Sequence, residues 1–162
     1  MTLGVPASRR TVEATEATEA IQAVDARYLQ TLLGYNARRV SLQAIELFNE
    51  RMEGFSITPV DFSVLSLIRH NPGITSRQLC AALSLLPPNL VGKISTMEKR
   101  ELLLRKPHPD DGRAIGLYLS GIGERMVADA ERNVSELEAE VGSKLTAAES
   151  KTLLRLLQKV YL

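Results

Sequence analysis

The sequence predicts a mainly α-helical protein interrupted by a single two-stranded β-hairpin, and three observations carry that expectation. Apolar residues return at three- and four-residue steps near both ends of the chain, the period of an amphipathic helix. Thr58 precedes a proline and an acid, while Thr75 and Gln78, and Thr146 and Glu149, stand at capping-box spacing, so three helix starts are marked. Only the stretch 102–119 drops the helical period, for short apolar runs around a polar loop.

Composition bounds the class. The chain has 162 residues, 44% hydrophobic and 24% charged, the balance of a soluble globular protein with one domain or two small interleaved modules. No apolar run approaches the roughly 20 residues that span a bilayer, and the opening MTLGVPASRRTVEATEATEA has no apolar core of signal-peptide type. Neither a membrane partner nor secretion is expected. Cys80 is the only cysteine and cannot form an intrachain disulfide; with two distant histidines it makes no zinc site, so a cytoplasmic location and no cofactor are expected. Net charge is only +1, yet residues 75–113 hold 7 basic and 4 acidic groups, whereas 120–142 hold 2 and 6. A local basic patch in a neutral chain suits a compact, groove-reading module.

Taken in order, residues 1–18 have few large apolar groups and read as a disordered tail. From Glu19 to Met52 there is no proline, and Ile21, Val24, Tyr28, Leu32, Tyr35, Arg39, Leu42, Ile45 and Phe48 keep helical steps. One long amphipathic helix is expected, with Gly34 its weak point, and its stripe must be covered by the rest of the chain or by a second subunit. A helix from Pro59 to Arg69 ends at Asn71-Pro72-Gly73; a short one follows Thr75; a third starts at Pro87-Pro88-Asn89 with Leu90, Ile94 and Met97 as its apolar edge. The runs at 102–104 and 115–119 form a hairpin around Pro107, Pro109, Asp110, Asp111 and Gly112. Ser120 opens a second long helix that Gly142-Ser143 breaks, and a final helix follows Thr146.

Three short helices and a hairpin make a winged helix-turn-helix, whose third helix fits a DNA major groove while the hairpin reaches the neighbouring minor groove. With Leu90, Ile94 and Met97 turned inward, Pro88, Asn89, Gly92, Ser95, Thr96 and Lys99 face outward. Asn89 and Thr96 suit base edges; Lys99, with Ser76, Arg77 and Gln78 at the preceding helix start, suits phosphates. A merely solvated helix face has the same composition, so the wing carries weight: Asp111, two residues before Arg113, is placed to hold its guanidinium, and such an arginine fits the narrow minor groove of A·T-rich DNA.

These residues resemble the multiple-antibiotic-resistance regulator (MarR) family of bacterial transcription factors. The resemblance covers residues 20–162 and is most specific in the P-D-D-G-R-A wing followed by Leu117, Leu119, Ser120 and Gly123. It implies a homodimer whose first and last two helices interlock, each subunit presenting a recognition helix and wing to half of a palindromic operator. Asn89 matches a base-reading position, Arg113 the minor-groove arginine and Asp111 its partner. The chain departs from the pattern at Gly92, where many members carry a larger polar or basic residue, at Lys93, which falls at a usually apolar position and is expected to snorkel, and at Glu101, which replaces the usual glycine of the turn into the wing.

The resemblance also implies a small aromatic or amphipathic anionic effector that releases a repressor from DNA. Tyr28, Tyr35, Phe48 and Phe62 are candidate ring contacts and Arg38 and Arg39 candidate anion partners, although aromatics at helical spacing equally make plain core. The expected organisation is a tail (1–18), a dimerisation helix (19–55), a winged helix-turn-helix DNA-binding domain (56–119) and C-terminal dimerisation helices (120–162). Two alternatives stay open: a winged-helix protein-interaction module without ligand control, and a redox-responsive regulator using Cys80, which stands on the apolar side of a short helix. An enzyme is not expected, because His70 and His108 lie in loops with no nucleophile or phosphate-binding glycine turn nearby.

Overall fold

The computed structural model describes residues 24–108 and 113–162. The expected tail, the first residues of the expected long helix and the wing tip with Asp111 lie outside the described residues. The chain falls into two compact units, 1–42 and 43–162.

In the first unit the long helix is interrupted, against expectation. A single turn, α1 (Arg27–Gln30), stops at Thr31, and α2 (Leu33–Arg51) restarts beyond it. The break precedes Gly34. Its cause is side-chain competition for backbone carbonyls: Thr31 Oγ1 donates to Tyr28 O at 2.8 Å, and Asn36 Nδ2 donates to Gln30 O and Leu32 O, each at 2.8 Å.

The second unit holds the core. After α2 a short 3₁₀ turn, Glu53–Phe55, leads to Ser56, whose φ of 52° is left-handed. Then come α3 (Pro59–His70), α4 (Ser76–Leu83), α5 (Pro87–Lys99), β1 (Leu103–Pro107), β2 (Ile115–Leu119), α6 (Gly121–Val141) and α7 (Ala147–Tyr161). Complete capping boxes start α3, α4 and α7, each pairing the threonine hydroxyl with an N–H three residues on and the acidic or amide side chain with the threonine N–H. Leu90, Ile94 and Met97 of α5 are buried with Val64, Leu65, Ile68, Leu79, Leu117 and Val127 in one cluster. The first strand lies later than expected, at Leu103–Pro107, and pairs antiparallel with Leu103 opposite Leu119 and Pro107 opposite Ile115.

The α3–α4 loop joins this hairpin. Gly73 N donates to Leu117 O at 2.8 Å and Leu117 N to Ile74 O at 3.0 Å, and a Cβ on Gly116 would stand 2.8 Å from Gly73 O. Only glycine admits that approach.

Helix α5 ends in a Schellman turn: Glu101 N donates to Glu98 O at 2.9 Å and Leu102 N to Met97 O at 3.0 Å. Glu101 occupies the left-handed position, φ 57°, that glycine fills at lower cost. The motif at 117–123 finds its reason at the same turn. Leu117 is fully buried, Ser120 N donates to Leu102 O at 3.0 Å, Ser120 Oγ donates to Glu101 O at 2.5 Å and accepts from Gly123 N at 3.0 Å, and a Cβ on Gly123 would stand 2.0 Å from Leu102 O. In contrast, α7 buries none of its residues: Leu153, Leu154, Leu156, Val160 and Tyr161 are exposed in the single chain.

Replacing Glu101 by glycine removes the left-handed penalty and is expected to stabilise the protein by about 0.5–1 kcal/mol, read as a higher urea midpoint at unchanged slope. A lower midpoint would show that the Glu101 side chain contributes more than its backbone costs.

Candidate nucleic-acid interface

The two helices of the helix-turn-helix start differently, one from a capping box and one from prolines. At Thr75, Gln78 Oε1 accepts from the Thr75 N–H at 2.9 Å and from its hydroxyl at 2.8 Å, which fixes the first turn of α4 with Ser76 half-buried and Arg77 and Gln78 exposed. Recognition helix α5 has no side-chain cap; Pro87 and Pro88 open it, with φ already set for helix. Pro88, Asn89, Gly92, Thr96 and Lys99 are exposed along one side, and Ser95 is half-buried. The Thr96 hydroxyl donates to Gly92 O at 3.0 Å, so toward a base it offers its oxygen as acceptor. A Cβ on Gly92 would meet nothing within 4 Å.

Both flanks of α5 are tied down by charge. On one flank Glu98 takes a bidentate pair from Arg105 of β1, Nε to Oε1 at 2.6 Å and Nη2 to Oε2 at 3.0 Å, and this pair holds the Glu98 carboxyl below its ordinary value. On the other, Lys93 Nζ lies 2.8 Å from Asp61 Oδ1 and 3.4 Å from Thr58 Oγ1. The ammonium does not snorkel to water; it meets the acid of the α3 capping box. Burial raises the Asp61 carboxyl, but Lys93 and the Thr58 hydroxyl and N–H outweigh it and hold it low. Arg100, just past the helix, donates Nη1 to Ser56 O at 2.7 Å and Nη2 to Phe55 O at 2.8 Å. None of these ties was legible in local sequence spacing; the seven-residue separation of Lys93 and Arg100, two helical turns, was the signal available.

The wing stands beside α5. Arg113 is exposed at the start of β2's approach, Asp111 lies outside the described residues, and Lys106 Nζ sits 5.3 Å from the centre of the Tyr118 ring. Behind the module, Glu131 of α6 joins α3 through Ser66 Oγ at 2.8 Å, His70 Nε2 at 3.0 Å and the Arg69 guanidinium, while Arg69 also reaches Glu124 at 3.3 Å. Burial raises the Glu131 carboxyl, yet Ser66, His70 and Arg69 together hold it below its ordinary value.

The expected effector residues divide between the units. Tyr28 is exposed on α1; Tyr35, half-buried, and Arg38 and Arg39, exposed, share a face of α2 at three- and four-residue spacing. Phe48 and Phe62 belong to the second unit, where their rings meet edge-to-face in the core with centroids 5.9 Å apart. Cys80 is half-buried against the same core rather than fully enclosed.

A helix-turn-helix whose recognition helix presents a polar face beside a β-wing defines a winged-helix DNA-binding transcriptional regulator. The profile of the MarR family matches residues 57–115. A putative transcriptional regulatory protein for the hcr operon of Thauera aromatica is 28% identical over 132 residues, 80% of this chain and 78% of that protein. The crystal structure of wild-type MarR from E. coli in its apo form superposes with a TM-score of 0.69 at 30% identity, covering 81% of this chain and 98% of that one. The transcriptional repressor CouR bound to a 23-mer DNA duplex superposes with a TM-score of 0.79 at 30% identity, covering 86% and 99%; CouR is also solved with p-coumaroyl-CoA, at a TM-score of 0.71. The chain belongs to the MarR family of transcriptional regulators.

Because the Glu131 carboxyl is held low in the fold, its stabilisation is complete above the ordinary carboxylate value and is lost as pH falls through the lowered one. Glu131→Gln is therefore expected to cost about 1–2 kcal/mol at neutral pH, and its deficit against wild type to narrow progressively as pH falls through the ordinary carboxylate value of 4.5 and below it. Thermal melts across that range check this; a constant deficit would assign the loss to packing.

Proposed function

We propose that the protein is a repressor that binds a palindromic operator as a homodimer in the cytoplasm and is released from it by a small aromatic acid or its conjugate. The observation that carries the DNA part is the exposed polar side of α5 standing beside the hairpin that bears Arg113. Asn89 and the Thr96 oxygen read base edges through this side, with Pro88 and Ser95 shaping the contact, and Lys99, Ser76, Arg77 and the Gln78 amide N–H groups hold phosphates. Arg113, oriented by Asp111, enters the minor groove. The homodimer reading is supported by α7, whose apolar residues have no cover in one chain. In domain terms, 19–55 and 120–162 serve assembly and 56–119 serves DNA.

For the effector, Arg38 and Arg39 meet the anionic group and Tyr35, with Tyr28 as a further candidate, meets the ring; the p-coumaroyl-CoA complex of CouR supports a ligand of this chemistry. No membrane partner enters this reading, and among the described residues no helix is long and apolar enough to cross a membrane. Family membership points to regulation and not to catalysis.

Duplexes selected from a random library by the purified protein test the DNA reading. Footprints with two half-sites about one helical turn apart are expected. Arg113→Ala is expected to cost about 1–3 kcal/mol and to relax A·T preference, whereas Lys99→Ala weakens all sequences alike and flattens the salt dependence. Equal effects on sequence preference would refute this division of roles.

Effector and DNA must also oppose each other reciprocally. An aromatic acyl conjugate such as p-coumaroyl-CoA is expected to lower affinity for the selected duplex about 5–150-fold, and the duplex to lower conjugate affinity by the same factor in calorimetry. Arg38→Ala and Arg39→Ala abolish the effect. If neither simple aromatic acids nor acyl conjugates alter DNA affinity, the effector assignment falls.

A further inference from the structure

We infer that Lys93 and Arg100 form a two-point clamp between the recognition helix and segment 55–61, which runs from the end of the 3₁₀ turn through the first turn of α3, and act as positioning residues for sequence reading and not as phosphate ligands. The inference rests on the reading of α5 as the helix that enters the groove. It starts from what apolar packing does not fix. Leu90, Ile94 and Met97 seat α5 in the core, but dispersion and the hydrophobic effect are non-directional and define the depth of a helix better than its roll about its own axis. Roll is what matters for reading: a base-edge hydrogen bond tolerates only a few tenths of an ångström and a limited angle.

Charge-assisted hydrogen bonds are directional, and α5 has them on both flanks. Glu98 ties one flank to β1. Lys93 and Arg100, two turns apart on the other flank, grip the first turn of α3 and the end of the 3₁₀ turn before it. Their acceptors are held before the cations arrive. Asp61 Oδ2 already accepts from the Thr58 N–H at 3.0 Å and from its hydroxyl at 2.7 Å, leaving Oδ1 aimed at Lys93. The carbonyls of Phe55 and Ser56 stand at the end of the 3₁₀ turn, where the left-handed Ser56 directs the chain away from helix. Two cations, one on the recognition helix and one at its C-cap, are therefore taken up by protein acceptors, and segment 55–61 becomes the reference against which α5 is set.

The test measures affinities of the full-length protein for a duplex it selects from a random library and for a scrambled duplex, each over a range of salt. Lys93→Met and Arg100→Gln are expected to reduce the preference for the selected duplex about 5–10-fold while the slope of log affinity against log salt stays at the wild-type value. Asp61→Asn keeps an acceptor for the Thr58 N–H but removes the charge Lys93 meets, and it is expected to reproduce Lys93→Met; Lys93→Arg restores most of the preference. If Lys93→Met does not fold, Asp61→Asn and Lys93→Arg decide the matter alone. A slope that falls by about one for each lost cation, with preference intact, would make these residues phosphate ligands and overturn the clamp. Unchanged preference in Asp61→Asn and Arg100→Gln would overturn it as well. A wild-type protein that selects no sequence at all overturns the reading of α5 itself, a different failure visible before any variant is made.

Discussion

The winged unit is organised around two consecutive residues, Glu101 and Leu102. Their N–H groups close the Schellman turn that ends α5, the Leu102 carbonyl receives the N-cap amide of α6, and the Glu101 carbonyl receives the Ser120 hydroxyl. A helix that reads, a strand that starts the wing and a helix that leaves the module thus share one set of hydrogen bonds. Gly123 is required because α6 must lie close enough for its first turn to rest on the Leu102 carbonyl. That the chain tolerates Glu101 at a left-handed position follows from the same constraint: three elements over-determine the turn, and a penalty of about 1 kcal/mol does not release it.

Charge then does what the core leaves undone. The interior is apolar, with no buried polar or charged residue among those described, so the ionic contacts lie at the margin, and three sets of them join one element to another. Glu98 with Arg105, Lys93 with Asp61, and Glu131 with Arg69, Ser66 and His70 join α5 to the wing, α5 to α3, and α3 to α6. Half-exposed pairs of this kind add modest stability each. Their value is directional: they fix how helices already held together are turned.

Local chemistry was what the sequence displayed. Capping boxes at Thr75 and Thr146, the proline-led start after Thr58 and the inward set Leu90, Ile94 and Met97 are written in neighbouring residues, and the structure places them as expected. The interruption at Thr31 was hidden because apolar residues keep helical steps across it, Tyr28 to Leu32 to Tyr35, while the cause is two short polar side chains, Thr31 and Asn36, turned onto carbonyls. Strand β1 was read too early because its partner, not its own composition, decides where Leu103 pairs. Of the interface, the exposed side of α5 was legible from period alone, but Lys93, Arg100 and Arg105 find acceptors 32, 44 and 7 residues away in the chain, and no local pattern encodes such meetings.

Gly92 leaves the middle of the recognition helix bare, with open space where a side chain would begin. Helix propensity argues against glycine there, at a cost of about 1 kcal/mol relative to alanine. The position is therefore a vacant slot on an otherwise committed surface: any of many residues fits it without disturbing the core, the clamp or the wing, and each gains helix stability as it arrives. A change of surface here therefore brings its own stability, since the side chain that alters this face of α5 also raises the helix propensity of the segment that carries it.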